Sequence, residues 1–238
     1  MCKNICLWST PRNVSTALMY SFAQRSDTQV FDEILYGHYL KFSGVNHPGR
    51  DQVINSLETN RQKVINKIIT KEGSKINFYK LMTHFLFGVN INFLEKVHNI
   101  LLIRNPSEVI ASYSKVISSP DIRDIGIKMQ YELYNYLNRK KIPVVLLDSK
   151  ELLQNPKEAL TQLCNKINIP FDKSMLSWPK GPKKEDGCWA NYWYSSVHKS
   201  TKFNTYIAKK VDLKGYNKQL EIQAMNYYNF LHSKSIKV

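Results

Sequence analysis

Five short apolar runs, each separated from the next by a segment of helical periodicity, constrain this chain more than any other feature. The strongest is Asn99-Ile-Leu-Leu-Ile103. From Ile100 on it is apolar without interruption, as expected of a strand buried on both faces inside a parallel sheet. The others are Ile5 to Trp8, Gln29-Val-Phe-Asp-Glu33, Ile76-Asn-Phe-Tyr-Lys80 and Pro143-Val-Val-Leu-Leu147. Between them, apolar residues recur at helical spacing. One helix is expected over Ser15–Arg25 (Leu18, Met19, Phe22, Ala23), one over Tyr36–Phe42, and one long amphipathic helix over Asp51–Thr70. Leu81 to Phe87 reads as a turn or short helix. Asn105-Pro106 supplies an N-cap and a proline at the first helical position, ahead of Val109, Ile110, Tyr113 and Val116. Further helices are expected over Met129–Leu137, Lys157–Ile167 and Asn217–His232. Strands alternating with helices predict an α/β fold in three layers, a central parallel sheet flanked by helices.

Length and composition bound the rest. The chain has 238 residues, 43% of them apolar, enough for a sizeable core. We expect a single domain over 1–238, with a core at 1–175 and a C-terminal or cap segment at 176–238. That segment loses regularity from Trp178 to Phe203 and mixes Trp189, Tyr192, Trp193 and Tyr194 with Lys and Gly. No apolar run is long enough to span a bilayer, and the first strand begins too early to leave room for a signal peptide. Cys2, Cys6, Cys164 and Cys188 show no metal-ligand pairing or disulfide framework. These features predict a cytoplasmic protein without a membrane partner. The net charge of +15 admits anionic partners. However, the lysines are scattered rather than gathered, and no aromatic–basic signature for RNA is present, so no nucleic-acid partner is expected.

The candidate chemistry sits at the ends of the strands, where open parallel sheets bind ligands. After the first strand, Ser9-Thr-Pro-Arg-Asn-Val-Ser-Thr-Ala17 leads into a helix. Such a turn points free N–H groups and the positive end of the helix dipole at one spot, a site for phosphate or sulfate. Arg12 adds a charged fork, Ser15 and Thr16 add hydroxyls. A plain capped turn is the bland alternative. Asp32 and Glu33 end the second strand, Lys80 the third, Arg104 the fourth, and Asp148 follows the fifth. Ser112, two turns into the helix after Arg104, completes a second candidate phosphate clamp.

The chain resembles the sulfotransferases that use 3′-phosphoadenosine 5′-phosphosulfate (PAPS). Ser9 to Ala17 is similar to their 5′-phosphosulfate loop, a variant of the phosphate-binding loop, which makes the expected fold P-loop-type. Ile103-Arg-Asn-Pro-Ser-Glu-Val-Ile-Ala-Ser-Tyr113 resembles their 3′-phosphate motif, whose Arg and Ser fall on Arg104 and Ser112. Asp148 to Pro156 looks like the segment after the last strand, and Trp189 to Phe203 like the C-terminal segment of a bacterial and plant subgroup. Thr10 stands where the family has Gly, and Ile34 where that subgroup has Pro.

The resemblance implies PAPS as cofactor, held by Arg12, Asn13, Val14, Ser15, Thr16, Arg104 and Ser112. It also implies in-line transfer of a sulfuryl group to a small-molecule acceptor without a metal. Arg12 and Lys80 would stabilise charge. Glu33 is the first expected base, with a salt bridge to Arg12 or Lys80 as its structural alternative. His84, in Lys80-Leu-Met-Thr-His84, is the second, displaced by two extra residues from the family's Lys-Thr-His. An ATP-dependent kinase is the alternative enzyme class, but the first loop has no Gly and no Lys. A non-catalytic nucleotide- or polyanion-binding protein is the other alternative. Magnesium at Asp148, acceptor contacts from His38 or His47, a 3′-phosphate contact from Lys180, Lys183 or Lys184, and stacking by Trp189 or Trp193 are weaker candidates. Oligomeric state is not legible.

Overall fold

The structure, a computed structural model, describes residues 2–115, 117, 119–208 and 211–238. Five strands, β1 (Lys3–Ser9), β2 (Thr28–Asp32), β3 (Ile76–Met82), β4 (His98–Ile103) and β5 (Val144–Asp148), form one sheet in the order β2-β3-β1-β4-β5. Every pairing is parallel. The chain leaves β1 toward one edge and later returns to build toward the other, so the crevice lies beyond the carboxyl end of β1 and its neighbours.

Strand side chains alternate between the two faces, and both faces are covered. Ile5, Leu7, Phe78, Ile100 and Leu102 belong to one buried cluster, while Cys6, Trp8, Tyr79, Leu101 and Ile103 belong to the other. The first face packs against α1 (Ser15–Ala23), α8 (Ser149–Gln154) and α9 (Pro156–Lys166). The second packs against α2 (Tyr36–Ser43), α3 (Arg50–Ser56), α4 (Arg61–Thr70), α5 (Pro106–Tyr113), α6 (Ile122–Ile125), α7 (Ile127–Arg139) and α11 (Gly215–Ser233). A four-residue helix, α10 (Ala190–Trp193), interrupts the irregular stretch. The segment after residue 175 supplies side chains to both clusters, Trp189, Tyr194 and Tyr228 to one and Trp178 and Phe203 to the other.

Two sequence expectations are corrected. The single helix expected over Asp51–Thr70 is two, because Leu57 is extended and Asn60 caps a new start, accepting from the N–H groups of Gln62 and Lys63 at 3.0 and 3.2 Å. Apolar periodicity continued across this break, but short polar side chains there compete for the backbone. β3 runs on to Met82, and only Thr83–Leu86 forms a turn of 3₁₀ helix. β5 leads directly into α8, a short helix for which no expectation was drawn. The helix after Asn105 forms as expected, with Asn105 accepting from Ser107 N–H at 2.9 Å. The expected place of Val116 on it lies outside the described residues.

Candidate active site

A cleft of about 580 Å³ opens at the carboxyl ends of the strands. It is lined by Arg12, Asn13, Val14, Ser15, Thr16, Glu33, Lys80, His84, Arg104 and Ser112, but not by the strand-end carboxylates Asp32 and Asp148. One wall gathers hydrogen-bond donors. Among the described residues no side chain caps the first turn of α1, so its N–H groups have no side-chain partner. The preceding loop passes through Arg12 at φ +56°, a left-handed conformation that costs a non-glycine residue about 1–3 kcal/mol. The surroundings hold it there. Arg104 Nη1 donates to the Arg12 carbonyl at 2.8 Å, Arg12 Nε donates to Ser112 Oγ at 3.0 Å, and Asn13 Nδ2 donates to the Leu102 carbonyl at 3.0 Å. Asn13 Oδ1 also accepts from Val14 N–H at 2.8 Å, so the Asn13 amide is committed to shaping the loop.

Arg104 donates through Nε and Nη2 to Glu108 Oε2 at 3.0 and 2.7 Å, and Tyr206 Oη donates to the other oxygen of Glu108 at 2.7 Å. A guanidinium has five N–H donors. With one of them on the Arg12 carbonyl and two on Glu108, two remain for an anion.

The opposite wall carries a buried ionic cluster. The parallel register sets Asp32 beside Lys80, and Lys80 is fully buried. Lys80 Nζ donates to Asp32 Oδ1 at 3.0 Å, to Tyr194 Oη at 2.5 Å, and to Glu33 Oε1. Glu33 sits at φ +43° just past β2, its N–H bonded to the Lys80 carbonyl at 2.8 Å. Burial is the main reason its carboxyl is pushed up to about 7; Lys80 opposes the shift and the Asp32 charge adds to it. Burial works against the Lys80 charge, but the two carboxylates outweigh it and lift the ammonium above the ordinary lysine value. Burial, then Asp32 and Glu33, hold the Tyr194 phenol well above its usual range, so it stays a neutral donor. Glu33 is therefore in the salt bridge with Lys80, and Arg12 pairs with Ser112 instead.

His84 lies in the 3₁₀ turn beyond β3, with its ring edge-on to Tyr39 at 4.8 Å and Phe85 at 4.7 Å. Its Nδ1 is buried without a hydrogen-bond partner among the described residues. Burial, reinforced by His47, pushes the imidazole down to about 3, so it is neutral at physiological pH. Near it, Tyr36, His47, Met82 and Phe85 line the same end of the cleft, with Tyr36 Oη and His47 Nδ1 2.8 Å apart.

Several weaker expectations place differently. Asp148 is outside the cleft: it caps α8 through Lys150 N–H at 2.6 Å and accepts from Tyr228 Oη at 2.7 Å. Lys183 bonds the Gly181 carbonyl at 2.7 Å, and Lys180 and Lys184 are exposed away from the cleft, whereas Lys202 lines it. His38 turns to the Thr59 carbonyl at 3.2 Å, and Trp189 is core, while Trp193 and His47 line the cleft. Thr10, the departure in the anion loop, points at α7: a Cβ added to Gly126 would lie 3.2 Å from its methyl. Thr10 and Ile34 are both absent from the cleft wall. Among the described residues no group of three or more His, Cys, Asp or Glu converges as metal ligands, and no helix is long and apolar enough to cross a membrane.

The model of the sulfotransferase domain matches residues 3–235. The chain belongs to that family. It is similar to branched-chain-amino-acid aminotransferase-like protein 1 of Arabidopsis thaliana, 41% identical over 202 residues, which is 83% of this chain and 36% of that protein. Protein 2 of the same name is 38% identical over the same shares. The chain thus spans about a third of the length of the curated relatives it matches. The fold is that of a sulfotransferase domain from the curacin biosynthetic pathway (TM-score 0.56, 17% identity, 94% of this chain and 98% of that one). It is also that of the sulfotransferase domain of the Synechococcus PCC 7002 olefin synthase (TM-score 0.56, 14% identity, 93% and 95%).

In this sulfotransferase domain, sequence reasoning missed Tyr194 and Tyr206. Both come from the irregular C-terminal segment, which carries no periodicity to place it. The signals were the density of aromatics in an irregular stretch and, for Tyr194, the likeness of Trp189 to Phe203 to the C-terminal segment of a sulfotransferase subgroup; neither assigned a role to a single residue.

Proposed function

We propose that the domain, working as one unit over residues 1–238 in a cytoplasmic setting, transfers a sulfuryl group from PAPS to a hydroxyl or amine of a small acceptor. The observation that carries this reading is the meeting, in one cleft, of an uncapped helix N-terminus with Arg12, a second anion clamp at Arg104 and Ser112, and a buried Lys80–Glu33 pair. Two anion sites fit a donor with phosphate at two separate positions. The free donors of Arg104 and the open first turn of α1 give each site capacity for a ligand.

When bound, PAPS supplies the sulfuryl group for in-line transfer. Every other part is played by the chain. The first-turn N–H groups with Ser15 and Thr16 hold the phosphosulfate end, and Arg12 offers its guanidinium beside them. Arg104 and Ser112 hold the 3′-phosphate. Lys80, permanently charged and dry, stabilises negative charge on the moving group and leaving oxygen, where such charge is worth most. Glu33 takes the acceptor proton. A base works best with a pKa near the working pH, so Glu33 at about 7 is favoured over His84 at about 3. The end of the cleft near Tyr36, Met82 and Phe85 receives the acceptor.

Calorimetric titration with 3′-phosphoadenosine 5′-phosphate, with ATP–Mg as comparator, tests the reading. Tight binding of the bisphosphate and much weaker binding of ATP–Mg support it. No preference for the 3′-phosphate removes it and brings forward the kinase or the non-catalytic binder.

A further inference from the structure

Two carboxylates share one buried ammonium, and the resemblance that favours Glu33 as base gives no physical reason to prefer it over Asp32. The hydrogen bonds around Tyr194 decide it. Its Oη accepts from Lys80 Nζ at 2.5 Å and from Trp189 Nε1 at 3.1 Å, which fills both lone pairs. One O–H remains. Asp32 offers Oδ2 at 2.7 Å and Oδ1 at 3.0 Å, whereas Glu33 Oε1 is 3.5 Å away. The phenol proton therefore goes to Asp32, which also accepts from Lys80 at 3.0 Å and from Gly187 N–H at 3.4 Å. Glu33 is left with Lys80 as its one close donor.

We propose that Tyr194 is a positioning residue that assigns the two carboxylates different tasks: its hydroxyl commits Asp32 to anchoring Lys80 and leaves Glu33 to take the acceptor proton. The proposal rests on the reading of Glu33 as base, but the network it describes does not need an acceptor to be tested. Glu33 is faced by Lys80 from β3, Asp32 from β2, Tyr194 from the C-terminal segment and Tyr36 from α2. Trp193, the residue before Tyr194, lines the cleft, as do Ser196 and Val197 after it. The residue that arranges the base thus belongs to a segment that also walls the cleft.

The test follows carboxyl protonation by infrared spectroscopy on protein labelled with ¹³C at Glu or at Asp carboxyl carbons, with Glu33→Gln identifying the Glu33 band. In the unaltered protein the neutral-range titration should appear in the Glu label. In Tyr194→Phe, which keeps the ring, the hydrogen bond lost is the one Asp32 accepted, so the titration in the Asp label should move up by about one to two pH units. Asp32→Asn, the second variant, should move the Glu33 titration down, because Glu33 then has Lys80 to itself. An upward shift of the Asp band in the first variant with a downward shift of the Glu33 band in the second supports the proposal. An unmoved Asp band in Tyr194→Phe, or a Glu33 band that rises in Asp32→Asn, overturns it and leaves Tyr194 as packing. Bisphosphate titration of the same samples separates the two readings. Intact binding with unmoved midpoints removes the role of Tyr194 alone, and shifted midpoints without bisphosphate binding remove the donor assignment alone.

Discussion

Arg104 donates to the backbone carbonyl of Arg12 at 2.8 Å across the crevice between two loops that are 92 residues apart in sequence. This bond makes one anion wall of two motifs, since Arg12 in turn donates to Ser112 on the helix that follows Arg104. Removing the Arg104 guanidinium takes away both the proposed phosphate contact and a support of the strained Arg12 backbone. Arg104→Ala should weaken binding of 3′-phosphoadenosine 5′-phosphate by about 10- to 100-fold, the worth of a hydrogen bond to a charged group. Arg104→Lys should not restore it, because a lysine cannot bond a carbonyl, Glu108 and a phosphate in one plane. Calorimetry on both variants checks this.

Glu33→Gln should lower turnover by about 10²- to 10⁴-fold, the usual contribution of a general base. Nucleotide affinity should stay within about twofold, since the side chain lies on the opposite wall from the anion loops. Single-turnover kinetics together with bisphosphate titration separate the two effects.

The raised Glu33 carboxyl has two pH signatures of opposite sign. As base it must be ionised, so turnover should rise as pH increases through about 7. Its folded value lies above the ordinary 4.5, so its contribution to stability is whole below about 4.5 and is lost as pH rises through about 7. Urea unfolding between pH 5 and 8, compared with Glu33→Gln, should show this slope in the unaltered protein and a flatter one in the variant.

Lys80 is the ammonium partner of both buried carboxylates, so removing it strands charge. Lys80→Met should cost about 3–5 kcal/mol of stability. Adding Glu33→Gln to that variant should recover part of the loss, because one stranded carboxylate is then gone. Denaturant titration of the single and double variants measures the recovery, and an additive loss would contradict the buried pairing.

His84→Gln should leave the midpoint of the pH–rate profile unmoved, because the imidazole is held neutral throughout the working range by burial. A midpoint that moves or vanishes in this variant would transfer the base from Glu33 to His84.

Much of the site was legible before any coordinates. Apolar runs marked the five strands, and the residues that end them marked the mouth of the sheet, because the backbone itself puts strand ends together in a parallel fold. Asp148 was the exception. It ends a strand like the others, but it is consumed by capping α8 and by Tyr228, a partner 80 residues on that no local pattern announces. The break between α3 and α4 failed for a related reason: apolar spacing continued through Leu57 while Asn60 quietly supplied a cap.

The order of apolar and polar residues along the chain determined the α/β layering, the anion loop ahead of α1 and the Arg104–Ser112 spacing, since each depends on contacts within about a turn or a strand of itself. Only the tertiary structure decided which charges are shared. Lys80 meets Glu33 through the β2–β3 register, Arg12 meets Ser112 across β1 and β4, and Tyr194 reaches Asp32 from 162 residues away. Such pairings follow from long-range packing and burial, which set how strongly each charge is felt, and neither is written in the neighbouring residues.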